Sequence, residues 1–424
     1  MKKNVCIVGL GYVGLPLAIL CLKRGFNVFG YDIDKKKIND IKNGKINFYD
    51  SFFKKDFISY KTDLIVTTNQ DVISKADIVM ICVPTPVDKK FYPDLTALKK
   101  ASKTISEHIK KEQLVIVEST VYPGVTDEII KPILEKTGLK AGRDFYLAYC
   151  PERIDPGNKN FNIENIPRVF AGISDKCASK TRDFYESILN AEIKQNSSIK
   201  AAEAVKVVEN TFRDVNIAMV NELAKSFDIM GIDIVEVIDS ASTKPYGFMP
   251  HYPGCGVGGH CIPVDPYYLI ERGKKEGFDY NFLSLARKIN KSMPQYTLQR
   301  LVEGLNEINK SVKGTKITVL GLSYKKDIDD MRNSPAVEII NSLRKMGGKL
   351  EVYDPFNLEK STVKSLKEAL EKSECIIVAT DHSEFKKIKI KDYKNIKVVI
   401  DGRNCLNKND VLKSGIIYKG IGRK

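Results

Sequence analysis

The chain has 424 residues, of which 43% are hydrophobic and 29% are charged, and its formal net charge is +15. This length predicts two or three domains, and the composition excludes a disordered or fibrous protein. The positive charge suits anionic partners. Because the lysines are interleaved with acids rather than gathered into one arm, we expect small phosphorylated ligands and no nucleic acid.

The nine cysteines include no CxxC pair, and none of the four histidines is spaced from a cysteine as in a zinc finger. We therefore expect no disulfide framework, no metal site and a reduced, cytoplasmic location. An apolar run over residues 5–22 follows two lysines and imitates a signal peptide or a membrane span. Three glycines and a proline interrupt that run, so the sequence predicts no membrane association.

Short apolar runs alternate with helix-length segments over the first half of the chain. The series begins with a strand over residues 4–9, a glycine-rich turn, a helix, and a strand over residues 27–34. Further strands are predicted at residues 64–67, 77–83, 114–118, 146–149 and 169–172. Buried strands that alternate with helices indicate a parallel sheet covered on both faces.

The rest of the chain is predicted to be a helical middle followed by a second α/β pattern. Residues 199–230 are helical without interruption, and the glycine- and proline-rich stretch 245–266 must be a loop. Four more strands are predicted at residues 317–321, 350–353, 375–379 and 398–401. We predict an α/β fold of two Rossmann-like parallel-sheet lobes joined by a central helical region with one long spine helix. The predicted domain boundaries are 1–198, 199–312 and 313–424.

The first strand leads into a GxGxxG turn formed by Gly9, Gly11 and Gly14. In such a turn the first glycine permits the tight bend, the second lets a pyrophosphate approach the backbone, and the third permits close packing of helix on strand. Asp32 ends the next strand, where a carboxylate binds a ribose diol and repels a 2′-phosphate. The sequence therefore predicts NAD as the cofactor, although the lysines that follow Asp32, including Lys37, weaken the preference over NADP.

A second group of candidate residues lies in the loop at 253–265, whose four glycines expose His260, Cys261 and Asp265 and leave room for a ligand near the backbone. Cys261 is a candidate nucleophile, but an inert buried thiol is also possible, and Cys150 and Cys255 are rivals. On the predicted long helix, Lys206 and Asn210 are one turn apart, so that together they can hold an oxyanion. An ordinary solvated lysine is the alternative interpretation of Lys206.

These residues belong to a series of motifs that resembles the nucleotide-sugar 6-dehydrogenases. The resemblance covers nearly the whole chain, and the motifs occur in the family's order. They are GLGYVGLPLA, VPTP, EST, CPER, EAVKVVENTFRDVN, GVGGHCIPVDPYYL, GLSYKKDIDDMRNSP and DGRN. The resemblance implies a four-electron oxidation of a sugar alcohol at C6 to a carboxylate with two NAD+. It also implies that the first domain binds NAD, the second carries the cysteine loop, and the third binds the UDP-sugar.

The resemblance assigns a role to each candidate catalytic residue. Cys261 would capture the aldehyde as a thiohemiacetal and then carry a thioester. Lys206 and Asn210 would stabilise oxygen charge, and Asp265 would orient Lys206 or a water. Glu152 would act as general acid/base in thioester hydrolysis, with Thr120 holding the water.

The resemblance also implies two sets of binding residues. Those near NAD would be Gly9, Gly11, Tyr12, Val13, Gly14, Asp32, Lys37, Thr85 and Thr120. Those near the UDP-sugar would be Glu152, Arg153, Lys206, Asn210, Arg213, Tyr252, Gly258, Lys325, Arg403 and Lys244, the last reaching from a neighbouring subunit.

The sugar and the assembly are expected from finer similarities. The segments TFRDVN and GFMPHYPGCGVGGH resemble the branch that acts on 2-acetamido sugars, and we expect UDP-N-acetylglucosamine ahead of UDP-N-acetylmannosamine or UDP-glucose. Cell-surface polysaccharide biosynthesis is the implied context, and we expect a homo-oligomer, a dimer through the central helix. The open alternatives are a two-electron dehydrogenase of the β-hydroxyacid type and a non-catalytic nucleotide-sugar sensor.

Overall fold

The computed structural model describes residues 2–46, 51–88, 90–155, 158 and 160–423, apart from the side chains of residues 51 and 52. The chain divides into two compact units, which are described separately. The first contains Met1–Glu209 and Tyr267–Asp279, and the second contains Asn210–Pro266 and Tyr280–Lys424.

The first unit is built on an eight-stranded sheet. Its strands are β1 (Asn4–Val8), β2 (Asn27–Tyr31), β3 (Ile65–Thr67), β4 (Ile78–Ile81), β5 (Leu114–Val117), β6 (Tyr146–Tyr149), β7 (Arg168–Gly172) and β8 (Ile193–Gln195), in the spatial order β3-β2-β1-β4-β5-β6-β7-β8. The helices of this part of the chain are α1 (Gly14–Lys23), α2 (Lys35–Lys42), α3 (Ser51–Tyr60), α4 (Val72–Lys75), α5 (Thr96–His108), α6 (Lys131–Leu134) and α7 (Asp175–Ile188). A π-helical turn, Thr126–Ile130, precedes α6.

The central strands of this sheet are buried on both faces. Every residue of β4, β5 and β6 is buried, which confirms the interpretation of their unbroken apolar runs. The apolar run over residues 5–22 is β1, the glycine turn and α1, and nine of the ten α1 residues are buried. None of the described helices combines the length and the apolar composition that crossing a bilayer requires.

The predicted parallel sheet is confirmed, with one antiparallel neighbour near one edge. The first six strands in the spatial order, β3-β2-β1-β4-β5-β6, are all parallel to their neighbours. Strand β7 runs antiparallel to β6, and β8 is parallel to β7. An antiparallel neighbour needs no crossover helix, and period and composition do not distinguish the two directions when a strand is buried on both faces.

Four helices form the middle of the chain: α8 (Ile199–Met230), α9 (Ile234–Ala241), α10 (Asp265–Lys275) and α11 (Asn281–Asn306). The bounds of α8 are those predicted for the long helix. Two buried ion pairs join α8 to α11, since Arg287 pairs with Asp214 and Arg300 pairs with Asp228 at 2.8 Å. Each arginine is matched by a carboxylate, which is the condition for burying such charges.

The second unit contains a five-stranded, wholly parallel sheet in the order β10-β9-β11-β12-β13. Its strands are β9 (Lys316–Leu320), β10 (Lys349–Tyr353), β11 (Cys375–Val378), β12 (Val398–Asp401) and β13 (Ile417–Gly420), and its further helices are α12 (Pro335–Lys345), α13 (Leu366–Glu371) and α14 (Lys408–Lys413). Strand β13 was not predicted. It lies at the sheet edge and alternates half-buried with buried residues, so it lacks the continuous apolar run of a central strand.

One buried carboxyl fastens α8 to the segment before α6 within the first unit. Glu203 accepts hydrogen bonds from the backbone N–H groups of Gly124 at 2.5 Å and Thr126 at 2.8 Å. Its side chain is fully buried, and burial raises the pKa of its carboxyl from 4.5 to about 7.

We expect Glu203→Gln to remove a pH dependence of stability. Because folding raises the pKa of Glu203, its contribution is fully present below pH 4.5 and is lost as the pH rises through about 7. The stability of the native chain relative to the variant should therefore fall by roughly 3 kcal/mol over that range. Thermal unfolding of both proteins from pH 4.5 to 8 measures this, and a constant difference between their midpoints would contradict it.

Candidate functional site

The glycine turn after β1 has the geometry of a pyrophosphate cradle. Gly9 has a φ of +96°, and its N–H donates to the carbonyl oxygen of Tyr31 at 2.8 Å. A Cβ at Gly14 would lie 1.9 Å from the carbonyl oxygen of Gly9, so only glycine lets α1 pack this close. A Cβ at Gly11 would meet no atom within 4 Å, so this side of the turn is open. These are the three glycine roles that dinucleotide binding requires.

Asp32 follows β2 and is held against this turn. Its Oδ2 accepts hydrogen bonds from the N–H of Leu10 at 2.8 Å and from the ammonium of Lys37 at 2.7 Å, and its Oδ1 accepts the N–H of Asp34 at 3.0 Å. The Asp32 side chain is 6% exposed and that of Lys37 is 37% exposed. Lys37, predicted near the cofactor, thus lies beside the carboxylate of Asp32, for which the sequence predicts contact with the ribose of NAD.

Other predicted residues follow neighbouring strands at the same sheet edge. Thr85 follows β4, Thr120 follows β5 and Glu152 follows β6, and the carboxyl ends of parallel strands form the usual ligand edge of such a sheet. The Thr85 hydroxyl donates to the carbonyl oxygen of Thr120 at 2.6 Å, and the hydroxyl of Tyr268 donates to the carbonyl oxygen of Thr85. In the turn itself, Tyr12 is exposed and Val13 is half-buried.

A buried ion pair that the sequence did not predict supports this edge. Arg168 on β7 is completely buried and pairs with Glu118 at 3.1 Å, and the hydroxyl of Tyr185 also donates to Glu118. The same guanidinium donates to the carbonyl oxygen of Pro151 at 3.1 Å. One arginine therefore holds both the strand end that precedes Thr120 and the residue before Glu152. The local signal was an arginine directly before the predicted strand at residues 169–172.

The CPER segment forms a turn in which the Glu152 carboxylate binds a backbone N–H two residues later. Glu152 is buried, and its carboxylate accepts the N–H of Ile154. Arg153, predicted to bind substrate, forms an ion pair with Glu209 on α8 and donates to the carbonyl oxygen of Pro167 at 2.8 Å. Its described contacts are therefore with the protein.

On α8, Lys206 and Asn210 are both buried, each with 8% of its surface exposed, so Lys206 is not a solvated surface lysine. The side-chain N–H of Asn210 donates to Asp265 Oδ2 at 2.6 Å, and Asp265 is also buried. The structure thus brings two predicted catalytic residues of the second unit into direct contact. We had expected Asp265 to orient Lys206 or a water.

Cys261 is exposed, whereas the rival thiols Cys150 and Cys255 are completely buried, and burial raises the pKa of both. The carbonyl oxygen of Cys261 accepts the N–H groups of Val264 at 3.0 Å and Asp265 at 2.9 Å, so Cys261 lies in the turn that begins α10. Burial, together with the nearby Arg332, lowers the pKa of His260, which favours a neutral imidazole at the residue before Cys261.

The glycines before Cys261 pack against protein. A Cβ at Gly258 would lie 2.6 Å from Cβ of Tyr324, and one at Gly259 would lie 2.8 Å from the Tyr324 ring. A Cβ at Gly254 would lie 2.8 Å from the guanidinium of Arg403. On the side where a Cβ would project, the space beside these glycines is occupied by the C-terminal lobe of the same unit, and the approach of a ligand to their backbone stays a prediction.

The remaining predicted substrate residues have the following surroundings in the second unit. Arg403, after β12, pairs with Asp381 at 3.4 Å, and the Tyr252 hydroxyl donates to Asp239 at 2.6 Å. Arg213 is exposed on α8, and Lys244, also exposed, has its ammonium 4.9 Å from the centre of the Tyr246 ring. Lys325 lies in the half-buried stretch after β9.

The C-terminal lobe has a glycine turn like that after β1, but the carboxylate beside the turn is enclosed by protein. Gly321 has a φ of +95° and donates to the carbonyl oxygen of Tyr353 at 2.8 Å, as Gly9 does to Tyr31. Asp354 takes the place of Asp32, but it is completely buried and bonded to the N–H groups of residues 322 and 323 and to Nε2 of the buried His382 at 3.1 Å. Enclosed in this way, Asp354 does not present a ribose-binding carboxylate to solvent.

The sequence matches one protein family in three successive segments. Residues 3–189 match the NAD binding domain of the UDP-glucose/GDP-mannose dehydrogenase family, residues 200–292 match its central domain, and residues 318–408 match its UDP binding domain.

Individual relatives are similar along the chain. A UDP-N-acetyl-D-glucosamine 6-dehydrogenase from Pseudomonas aeruginosa is 41% identical over 356 residues, which cover 83% of each chain. A Staphylococcus aureus protein named CapL is 38% identical and covers 99% of this chain and 100% of its own. The solved structure of a UDP-D-ManNAc dehydrogenase from Pyrococcus horikoshii has a TM-score of 0.92 at 37% identity and covers 99% of each chain.

We expect Asp32→Ala to weaken the use of NAD and to narrow its advantage over NADP. The substitution removes a ribose acceptor and leaves the Lys37 ammonium without the carboxylate that it contacts at 2.7 Å, so a 2′-phosphate meets a cation. The ratio of kcat/KM with NAD to that with NADP should fall by at least about 10-fold. Asp34→Ala, which leaves the Asp32 side chain in place, is the control, and an unchanged ratio for Asp32→Ala would contradict the assignment.

Proposed function

The chain belongs to the UDP-glucose/GDP-mannose dehydrogenase family and is an NAD-dependent UDP-sugar dehydrogenase, and on that basis we propose that it oxidises the C6 alcohol of UDP-N-acetylglucosamine to the uronic acid through a thioester at Cys261. The observation that carries the proposal is the exposure of Cys261 on a turn packed against protein, while the thiols of Cys150 and Cys255 are buried.

The proposed reaction has a defined balance. The alcohol, two NAD+ and one water give the carboxylate, two NADH and three protons, and each NAD+ supplies a hydride acceptor. Between the two oxidations, the Cys261 sulfur forms a bond to the aldehyde carbon, and the carbonyl oxygen becomes the oxygen of a thiohemiacetal. Loss of the remaining C–H hydride gives the thioester, and water then breaks the C–S bond and returns the thiol.

We assign to Lys206 and Asn210 the role of stabilising the negative charge that develops on the reacting oxygen. The carboxylate of Asp265 holds one N–H of the Asn210 amide at 2.6 Å and so fixes the rotation of the amide. We assign the second N–H of that group to the reacting oxygen. In this proposal the neutral amine of Lys206 takes up the alcohol proton. The buried ammonium that this transfer forms then stabilises the oxygen charge, because a buried cation interacts strongly with charge that develops in the reaction.

Glu152 and Thr120 are the residues that we assign to thioester hydrolysis. Both follow strands that end at the ligand edge of the first sheet, and Arg168 contacts the Pro151 carbonyl and Glu118. In this proposal Glu152 removes a proton from the attacking water that Thr120 holds. Arg168 keeps the two segments in register without touching the substrate.

The UDP-sugar would be bound mainly by cations and backbone. We assign the diphosphate and uridine to Lys325 and Arg403, and the sugar to Arg213, Tyr252 and the backbone of Gly258. Arg153 and Lys244, the latter from a neighbouring copy, complete the proposed set. The proposed domains are 1–198 for NAD, 199–312 for the cysteine loop and assembly, and 313–424 for UDP-sugar.

A homodimer through α8 is part of the proposal. The helix exposes several large apolar side chains at intervals of four or seven residues, which place them on one face: Val208, Phe212, Met219 and Leu223. The reaction also needs the Cys261 thiol reduced, which fits the cytoplasm. We place the product among precursors of cell-surface polysaccharides.

The acetamido sugar is inferred from the relatives and from the sequence. One relative is named a UDP-N-acetyl-D-glucosamine 6-dehydrogenase, and one solved structure is that of a UDP-D-ManNAc dehydrogenase. The sugars of these two proteins differ in configuration at C2. The segment 243–250 resembles the former group more closely, which is why we rank UDP-N-acetylglucosamine first.

A panel of UDP-N-acetylglucosamine, UDP-N-acetylmannosamine and UDP-glucose tests this ranking. We expect kcat/KM for UDP-N-acetylglucosamine to exceed the others by at least about 10-fold, since a pocket shaped for one epimer misplaces the reacting carbon of the other. A preference for UDP-N-acetylmannosamine would overturn the choice of sugar and leave the cysteine route in place.

We expect Cys261→Ala to reduce acid formation by at least about 1,000-fold, whereas Cys150→Ala should leave two NADH per sugar. Cys150 is the matched control because its thiol is completely buried. Counting NADH per sugar and detecting the acid by mass spectrometry measures the outcome. Acid from Cys261→Ala at the native yield would refute the thioester route, and one NADH per sugar in the native protein would favour a two-electron dehydrogenase.

A further inference from the structure

The backbone of Gly259, two residues before Cys261, is held at both of its polar groups by one turn of the C-terminal lobe. Its N–H donates to the carbonyl oxygen of Arg332 at 2.9 Å, and its carbonyl oxygen accepts the side-chain N–H of Asn333 at 2.9 Å. We propose that Asn333 is a positioning residue that sets the place of the Cys261 sulfur during the second oxidation. This inference rests on the proposed role of Cys261.

The turn that carries Asn333 is itself well fixed. Tyr324 donates its N–H to the carbonyl oxygen of Asp330 at 2.9 Å, and the Asp330 carboxylate pairs with Arg332 at 2.6 Å. Ser334 caps α12 by accepting the N–H of Ala336 at 3.3 Å. Asn333 has a φ of +51°, a left-handed conformation that asparagine tolerates better than most residues. The backbone thus holds the amide beside Gly259.

The cysteine loop is packed closely against this turn. A Cβ at Gly258 would lie 2.9 Å from the carbonyl oxygen of Asn333, and the Tyr324 ring lies beside Gly259, whose φ is +92°. Because the loop touches the turn along its backbone, a change in one hydrogen bond is transmitted to Cys261 over two residues. A shift of about 1 Å at a nucleophile is enough to reduce a rate by about 100-fold.

In this proposal Asn333 affects only the second of the two oxidations. The first oxidation removes hydride from the alcohol and needs no bond to sulfur, whereas the second begins when sulfur attacks the aldehyde. Losing the Asn333 amide should therefore slow the second step while leaving the first step and the KM for sugar near their native values. A residue that merely supported the fold would reduce both steps together.

Asn333→Gly and Asn333→Asp test this proposal with NAD+ and UDP-N-acetylglucosamine. Glycine keeps the left-handed backbone but has no amide, and aspartate keeps the size but cannot donate from an ionised carboxylate. We expect the first NADH to form at the native rate, the second to form at least about 10-fold more slowly, and semicarbazide to trap the aldehyde. Alkylation of Cys261 by iodoacetamide should also change in rate.

Ser334→Ala is the matched control, because it removes the cap of α12 in the same turn and leaves both bonds to Gly259 intact. Equal slowing of both NADH phases in Ser334→Ala and Asn333→Gly would overturn the proposal, as would native kinetics in both Asn333 variants. If Cys261→Ala still forms the acid at the native yield, the proposed function itself fails. If Cys261→Ala loses the acid while both Asn333 variants keep native kinetics, only the positioning role fails.

Discussion

The close approach of neighbouring atoms to the backbone at glycine is the constraint on which both regions of candidate site residues depend. At the first turn, a methyl group on Gly14 would lie 1.9 Å from the Gly9 carbonyl oxygen, so α1 could not begin where it does. At the cysteine loop, a methyl group on Gly258 would lie within 3 Å of two atoms of the C-terminal lobe. In both places the observed backbone path requires glycine, because a Cβ would overlap neighbouring atoms.

Buried charged side chains in the interior are compensated either by an oppositely charged partner or by backbone N–H donors. Arg168 with Glu118, Arg287 with Asp214 and Arg300 with Asp228 bury cations beside carboxylates. Removing either partner of such a pair leaves an uncompensated buried charge. Glu203 is bound by two backbone N–H groups instead of a cation, and burial therefore raises its pKa.

The sequence predicted those features that depend on local patterns, and the family resemblance predicted the NAD-dependent UDP-sugar chemistry. The bounds of α8 followed from its helical pattern, and the GxGxxG spacing identified the first turn. Features that depend on contacts between distant segments were missed. The sequence did not reveal the antiparallel direction of β7, the burial of Arg168, or His382 against Asp354. It also did not reveal which atoms fill the space beside the glycines, because a glycine run is the same whether ligand or protein approaches it.

The exposure of Cys261 has a consequence for how the protein is modified by thiol reagents and how it can be labelled. All nine cysteines lie in the described part of the chain, and the other eight are buried or, at position 405, half-buried. A thiol-specific electrophile in solution therefore meets a thiol chiefly at one position. Thiol modification would be concentrated in the loop on which the proposed turnover depends, and the same selectivity allows a thiol-reactive probe to be attached there without altering the sequence.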